Sequence, residues 1–227
     1  MAMHRLARAP KFSYARAALG ATVIAAAIAA PTAANAQTTP SAALTHPQHS
    51  QVRPADHERS AKVKVTAAQV IALAKAQIGT SENALGGGTK FQKWYADSAR
   101  AAETIQRDGG TRADYINAAW CSMFVSWIGD KTGLSGSIGS DAYTVEHAKW
   151  FKHNDHWGTA PKPGAVVFFA WSGSKSLDDI NHVGFVVKDN GDGTISTVEG
   201  NTGNGVVEQR VRPTSQVVGY GYPDYAG

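Results

Sequence analysis

The sequence predicts an α+β domain with helices in its first half and an antiparallel β-sheet in its second. Three observations point that way. Apolar residues between 66 and 151 recur at helical spacing. From Pro161 onward they gather in short runs rich in Val, Ile and Phe. Those runs are separated by Asp/Asn/Gly turns, so helices come first and antiparallel strands later.

The elements follow in order. Thr66-Ala67-Ala68-Gln69 is a capping-box pattern, and Val70, Leu73, Ala74 and Ile78 place a helix from there to a stop at Gly79. Gly86-Gly87-Gly88 is a loop, and a second helix begins near Thr89 with Phe91, Trp94 and Tyr95. Residues 98–106 read as helical until Gly109-Gly110. Residues 118–131 form a helix with Met123, Phe124, Trp127 and Ile128 on one face, ended by Gly133. A short helix fits 143–151. Strands are expected at 165–170, 182–188, 194–199 and 206–211.

The chain has 227 residues, enough for one sizeable domain with extensions. Its formal charge of +4 suggests a nucleic-acid partner until it is located. Four of the 22 basic residues (Arg5, Arg8, Lys11, Arg16) and no acidic residue lie in 1–36, leaving 18 against 18 in the remainder. A general electrostatic case for nucleic acid therefore fails. The basic stretch 1–16 precedes an apolar run at 17–30, shorter than the roughly 17–20 residues that span a bilayer. Pro31 and Ala34-Asn35-Ala36 complete the pattern of a secretory signal cleaved after Ala36. The expected organisation is a signal at 1–36, a Pro-, Ser- and Thr-containing linker at 37–65, and one folded domain at 66–227. The mature protein is expected outside the cell, without stable membrane insertion.

Cys121 is the sole cysteine, so no intramolecular disulfide is possible. It is either a small buried hydrophobe or a nucleophile. Its place at a helix start favours the second reading. Free N–H groups and the positive helix end there stabilise an anion, whether a thiolate or a developing oxyanion.

A cysteine nucleophile needs a base. Of the eight histidines, His4 falls in the signal, and His46, His49 and His57 fall in the linker. His147 sits in a polar helix context, and His153 and His156 in a charged loop. His182 opens a strand, where sheet geometry fixes a side chain. A four-residue turn at 189–192 would pair Lys188 with Gly193 and set His182 directly opposite Glu199. A carboxylate there can hold the imidazole's tautomer and orientation. Glu199 is otherwise an exposed strand-end acid. Asn201 is either a turn residue or a second polar support.

Trp120-Cys121-Ser122-Met123-Phe124-Val125-Ser126-Trp127, Pro163-Gly164-Ala165-Val166-Val167-Phe168-Phe169, Asn181-His182-Val183-Gly184 and Glu199-Gly200-Asn201-Thr202 occur in that order. Together they resemble the CHAP family, the cysteine- and histidine-dependent amidohydrolases/peptidases. The resemblance covers about residues 66–227. It implies a papain-like fold and cleavage of amide bonds in bacterial peptidoglycan. By motif match, Cys121 would be nucleophile, His182 base, Glu199 orienter and Asn201 an accessory polar residue. Some members carry an acidic calcium loop before the cysteine. Residues 114–120 lack that repeat, and 189–193 lacks a glutamate at the twelfth position, so neither a metal nor another cofactor is expected. The expected protein is a monomer. Two alternatives stand beside the wall hydrolase: a secreted amidase on a non-wall substrate, and a non-catalytic wall-binding protein on the same scaffold.

The export signature has a direct test. N-terminal sequencing of the extracellular protein should begin at Gln37; recovery of membrane-retained chains still carrying Met1 or Ala2 would overturn it.

Overall fold

The structure is a computed structural model that describes residues 64–227. The expected signal and nearly all of the expected linker, including His46, His49 and His57, lie outside the described residues.

Among the described residues, six α-helices precede the main strands: α1 (Ala67–Lys75), α2 (Lys90–Asp97), α3 (Ala99–Asp108), α4 (Cys121–Thr132), α5 (Ser135–Ile138) and α6 (Thr144–His153). The strands are β1 (Trp157–Gly158), β2 (Val166–Phe169), β3 (His182–Asp189), β4 (Thr194–Thr202), β5 (Val206–Pro213) and β6 (Val217–Gly221). They form one antiparallel sheet in the order β1-β6-β2-β3-β4-β5. The domain is α+β, as the sequence predicts.

Local chemistry explains most boundaries. Thr66 and Thr89 each close a capping box, with Gln69 and Gln92 respectively. Ser98 caps α3 by accepting from the Ala101 N–H. Gly133 ends α4 in the left-handed region, φ 72°. α1 is shorter than expected. It ends at Lys75, and Ile78 is exposed, because residues 79–82 leave the helix to run along the start of β5. There the Gly79 N–H donates to Val207 O, and the Val207 N–H donates to Thr80 O.

β6 was not expected from sequence. Val-Val-Gly-Tyr-Gly offers little strand signal, since glycine weakens an isolated strand. In the sheet those glycines are required. A Cβ at Gly219 would lie 2.3 Å from Trp157 Cζ2, and one at Gly221 would lie 2.5 Å from the Phe151 ring.

The main core lies between the helices and one face of the sheet. Phe91 stacks on Trp120 at 5.3 Å and meets Phe124 and Trp127 edge-on at 5.2 and 5.3 Å. Phe124 meets Phe185 of β3 edge-on. Gly200 brings β4 against α4: a Cβ there would sit 2.7 Å from both Phe124 Cβ and Trp120 Cζ3. A smaller cluster on alternate strand positions includes Val167, Phe169, Val186 and Ile195.

The β3–β4 hairpin departs from the expected register. Lys188 pairs with Ser196, not Gly193. Asp189 and Asp192 each accept backbone N–H bonds two residues ahead, and the Asn190 N–H donates to Thr194 O, so the hairpin closes around Asp192, further along the chain than the expected turn at 189–192. Val187 then bulges, and Val186 pairs with Thr197 and Phe185 with Val198. Continuing that register sets Gly184, not His182, opposite Glu199. The net displacement from the expected pairing is two residues. Two steps preserve the alternation of faces, so His182 and Glu199 still share a face as diagonal neighbours.

The Gly200 contact gives a stability test. Gly200→Ala should lower unfolding free energy by about 1–3 kcal/mol through overpacking. Gly136, whose added Cβ meets nothing within 4 Å, serves as control. Urea denaturation of both alanine variants checks the difference; equal midpoints would refute the close approach of β4 and α4.

Candidate active site

Cys121 is the first residue of α4, and Trp120 is its N-cap. The first turn-forming bond runs from the Phe124 N–H to Trp120 O. The N–H groups of Cys121, Ser122 and Met123 therefore lack acceptors within the helix, as at any helix start. Two side-chain contacts hold this turn. The Trp120 indole N–H donates to Glu82 Oε1 at 2.8 Å. Ser122 Oγ lies 2.8 Å from His147 Nδ1, and His147 Nε2 lies 2.8 Å from Ile138 O. A carbonyl only accepts, so Nε2 carries the proton and Nδ1 accepts from the serine hydroxyl.

His147 thus differs from its expected polar surroundings. It is fully buried, and burial holds its pKa below the ordinary histidine value. Helical spacing gave no sign of this, since its neighbours Glu146 and Lys149 are polar. His153 is exposed at the end of α6, while His156 lies half-buried with Nδ1 2.8 Å from Tyr222 O.

His182 is the first residue of β3 and 5% exposed, with Cys121 near enough to raise its pKa. Its Nε2–H donates to Glu199 Oε2 at 2.9 Å. With Nε2 committed, Nδ1 is the nitrogen left for sulfur. Glu199 is fully buried, not the exposed acid that a strand end suggests. Gly184 makes room for it: a Cβ there would lie 2.7 Å from Glu199 Cγ and 2.9 Å from Val198 O. Cys121, His182 and Glu199 are therefore brought together. Asn201 is placed differently. Its φ of 54° puts it in the left-handed region, where β4 shifts register against β5 between Glu199 and Thr202. Among the described residues, no hydrogen bond joins its side chain to His182.

Sequence reasoning missed three neighbours of Glu199 and His182. Arg212 of β5 donates from Nε to Glu199 Oε1 at 2.9 Å and from Nη2 to Oε2 at 2.6 Å. The Thr197 hydroxyl donates to Oε1. The Trp171 ring lies 5.2 Å from the imidazole, stacks on Phe169, and carries the Arg212 guanidinium 4.8 Å above it. Arg212 stands in an alternating strand edge that signals nothing without the register.

These contacts set the charges. Burial works against an ionised Glu199, but Arg212 first and His182 next outweigh it and hold the carboxyl down at about 2. Burial likewise disfavours a charged His182, yet Cys121 and Glu199 raise it to about 9. Among the described residues, no three His, Cys, Asp or Glu side chains converge to hold a metal ion. No helix among them is long and apolar enough to cross a membrane.

Residues 113–201 match the family model described as CHAP domain. The matched region contains Cys121, His182, Glu199 and Asn201, and stops short of Arg212. CHAP domains are hydrolases, generally cysteine-dependent. A solved structure, an N-acetylmuramoyl-L-alanine amidase from Staphylococcus aureus, is similar at 23% identity and a TM-score of 0.37. The similarity covers 48% of this chain and 31% of the staphylococcal one, less than a third of its length. No curated protein matches the chain.

The charge pattern predicts a pH window. Glu199 is depressed from 4.5, so its contribution to stability is complete above 4.5 and is lost as pH falls toward about 2. His182 is raised from 6.5, so its contribution is complete below 6.5 and is lost as pH rises through about 9. The Tm gap between the parent and Glu199→Gln should be widest between these ordinary values and narrow on both sides. A gap independent of pH would count against the ion-pair account.

Proposed function

We propose that this chain is a secreted peptidoglycan hydrolase that cuts amide bonds through a cysteine thiolate. The observation that carries the reading is a nucleophile at a helix start, within reach of an imidazole held by a buried carboxylate. The match to the CHAP domain model supports the substrate class, and the signal-like segment at 1–36 supports the location.

In the proposed cycle, Cys121 Sγ attacks the amide carbonyl and the C=O electrons move onto oxygen. First-turn N–H groups of α4 stabilise that oxyanion. Collapse of the intermediate breaks the C–N bond, and the His182 imidazolium gives its proton to the leaving amine. A thioester remains. Water attacks it with His182 as base, releasing the carboxylate product and returning the thiol–imidazole pair. Glu199 keeps the imidazole oriented and favours its charged form. Asn201 contributes through the turn that carries β4 past Glu199, with its amide as an accessory polar group beside the site.

Hydrolysis of purified cell walls, with products resolved by mass spectrometry, tests the reading and identifies the bond. Cys121→Ser and His182→Ala should abolish release. Glu199→Gln should lower kcat/KM by about 10²–10⁴-fold. Iodoacetamide should add one label, at Cys121, and remove activity, while EDTA should leave activity unchanged. Full hydrolysis by Cys121→Ser, or labelling that needs denaturant while activity persists, would defeat the thiolate mechanism.

A further inference from the structure

We infer that Arg212 is a positioning residue of this site: it acts on Cys121 through Glu199 and His182, by keeping the Glu199 carboxylate ionised and aimed at the imidazole. The inference deepens the hydrolase reading and rests on it for the roles of Cys121 and His182.

Glu199 is directly paired with Glu208, a like charge, so the cross-strand partner cannot compensate it. Arg212 is paired with Ile195, four residues away on the same face of β4, and reaches back along the sheet to Glu199. Its Nη2 bonds the same oxygen, Oε2, that accepts from His182 Nε2, and its Nε spans both oxygens at 2.9 and 3.2 Å. The Thr197 hydroxyl takes up Oε1. Both carboxylate oxygens are thus engaged, and the group cannot rotate away from the imidazole without breaking these bonds. Arg212 is itself anchored, by Nη2 to Thr202 Oγ1 at 3.0 Å and by its seat over Trp171.

The charged and titratable groups around Glu199 can be named by element. β3 supplies His182, and α4 supplies Cys121 behind it. β5 supplies Arg212 and Glu208, and Glu208 is itself paired with Arg210. Without Arg212, a fully buried carboxylate beside Glu208 would take up a proton at a higher pH. A protonated Glu199 no longer stabilises an imidazolium, so the thiolate–imidazolium pair would form over a narrower range.

The test is the pH dependence of iodoacetamide labelling at Cys121 in the full chain, which requires no knowledge of the substrate. Thermal melts establish that each variant is folded at the assay temperature. In Arg212→Met the acid limb of labelling should move up by about one to three pH units. Arg212→Lys, which keeps the charge but loses the fork, should fall between Met and the parent. In a Glu199→Gln background, Arg212→Met should add no further shift, because no carboxyl remains to titrate. A folded Arg212→Met variant with the parent's acid limb overturns the inference, as does a shift that persists undiminished in Glu199→Gln. If Arg212→Met does not fold, Arg212→Lys is judged by the same criteria. A parent that labels at Cys121 but releases nothing from cell walls defeats the peptidoglycan reading alone. A native Cys121 that does not label defeats both.

Discussion

A carboxylate with no exposed surface sits near the end of β4, and much of the surrounding architecture follows from keeping Glu199 ionised there. An isolated buried charge would neutralise itself, so the fold must deliver donors from several elements. β5 delivers a guanidinium, β4 a hydroxyl two residues earlier, and β3 an imidazole. The glycine at 184 clears the space that the carboxylate's own stem needs. Each contribution comes from a strand whose register is constrained elsewhere in the sheet. The carboxylate is therefore a point where errors in pairing would be costly, which links strand register to the charge state of the imidazole.

The second half of the site is a helix end whose position depends on close packing. α4 can bring its first turn to His182 because β4 approaches it at Gly200, where only hydrogen separates the strand from Phe124 and Trp120. Trp120 is wedged on Phe91 and tied to Glu82, so the residue before the cysteine is held by stacking and by a hydrogen bond. Ser122, the residue after it, is tied through His147 to the carbonyl of Ile138 in α5. Both neighbours of Cys121 are thus fixed from different directions. A dense apolar interior transmits small displacements, so the sulfur's place relative to the imidazole depends on this packing.

The hairpin between β3 and β4 shows how a local argument can reach the right neighbours by the wrong pairing. Turn chemistry at 189–192 suggests a four-residue loop and a direct His182–Glu199 opposition. The hairpin instead closes around Asp192, and taken alone that register would turn Glu199 to the face opposite His182. The bulge at Val187 adds one residue to β3 and restores the alternation. The outcome is a diagonal contact on the shared face. Bulges are decided by how a strand must twist against both of its neighbours, which no short window of sequence contains.

Much of the rest was written locally. Helix starts at Thr66, Thr89 and Ser98 follow from side chains that satisfy their own backbone, and the stop at Gly133 follows from a conformation glycine adopts without strain. Helical spacing followed by short β-rich runs was sufficient for the α+β class. A single cysteine at a helix start, with one histidine opening a strand, narrows the chemistry from the sequence alone. What tertiary structure decided was long-range. β6 forms because Trp157 and Phe151 fill the space over its glycines. His147 is buried because α6 packs against α4 and α5. Arg212 meets Glu199 because a third strand in register brings a cation across the sheet. Local sequence determines conformations whose partners lie within a few residues; the charge and company of a buried group depend on residues far along the chain, and only packing brings those together.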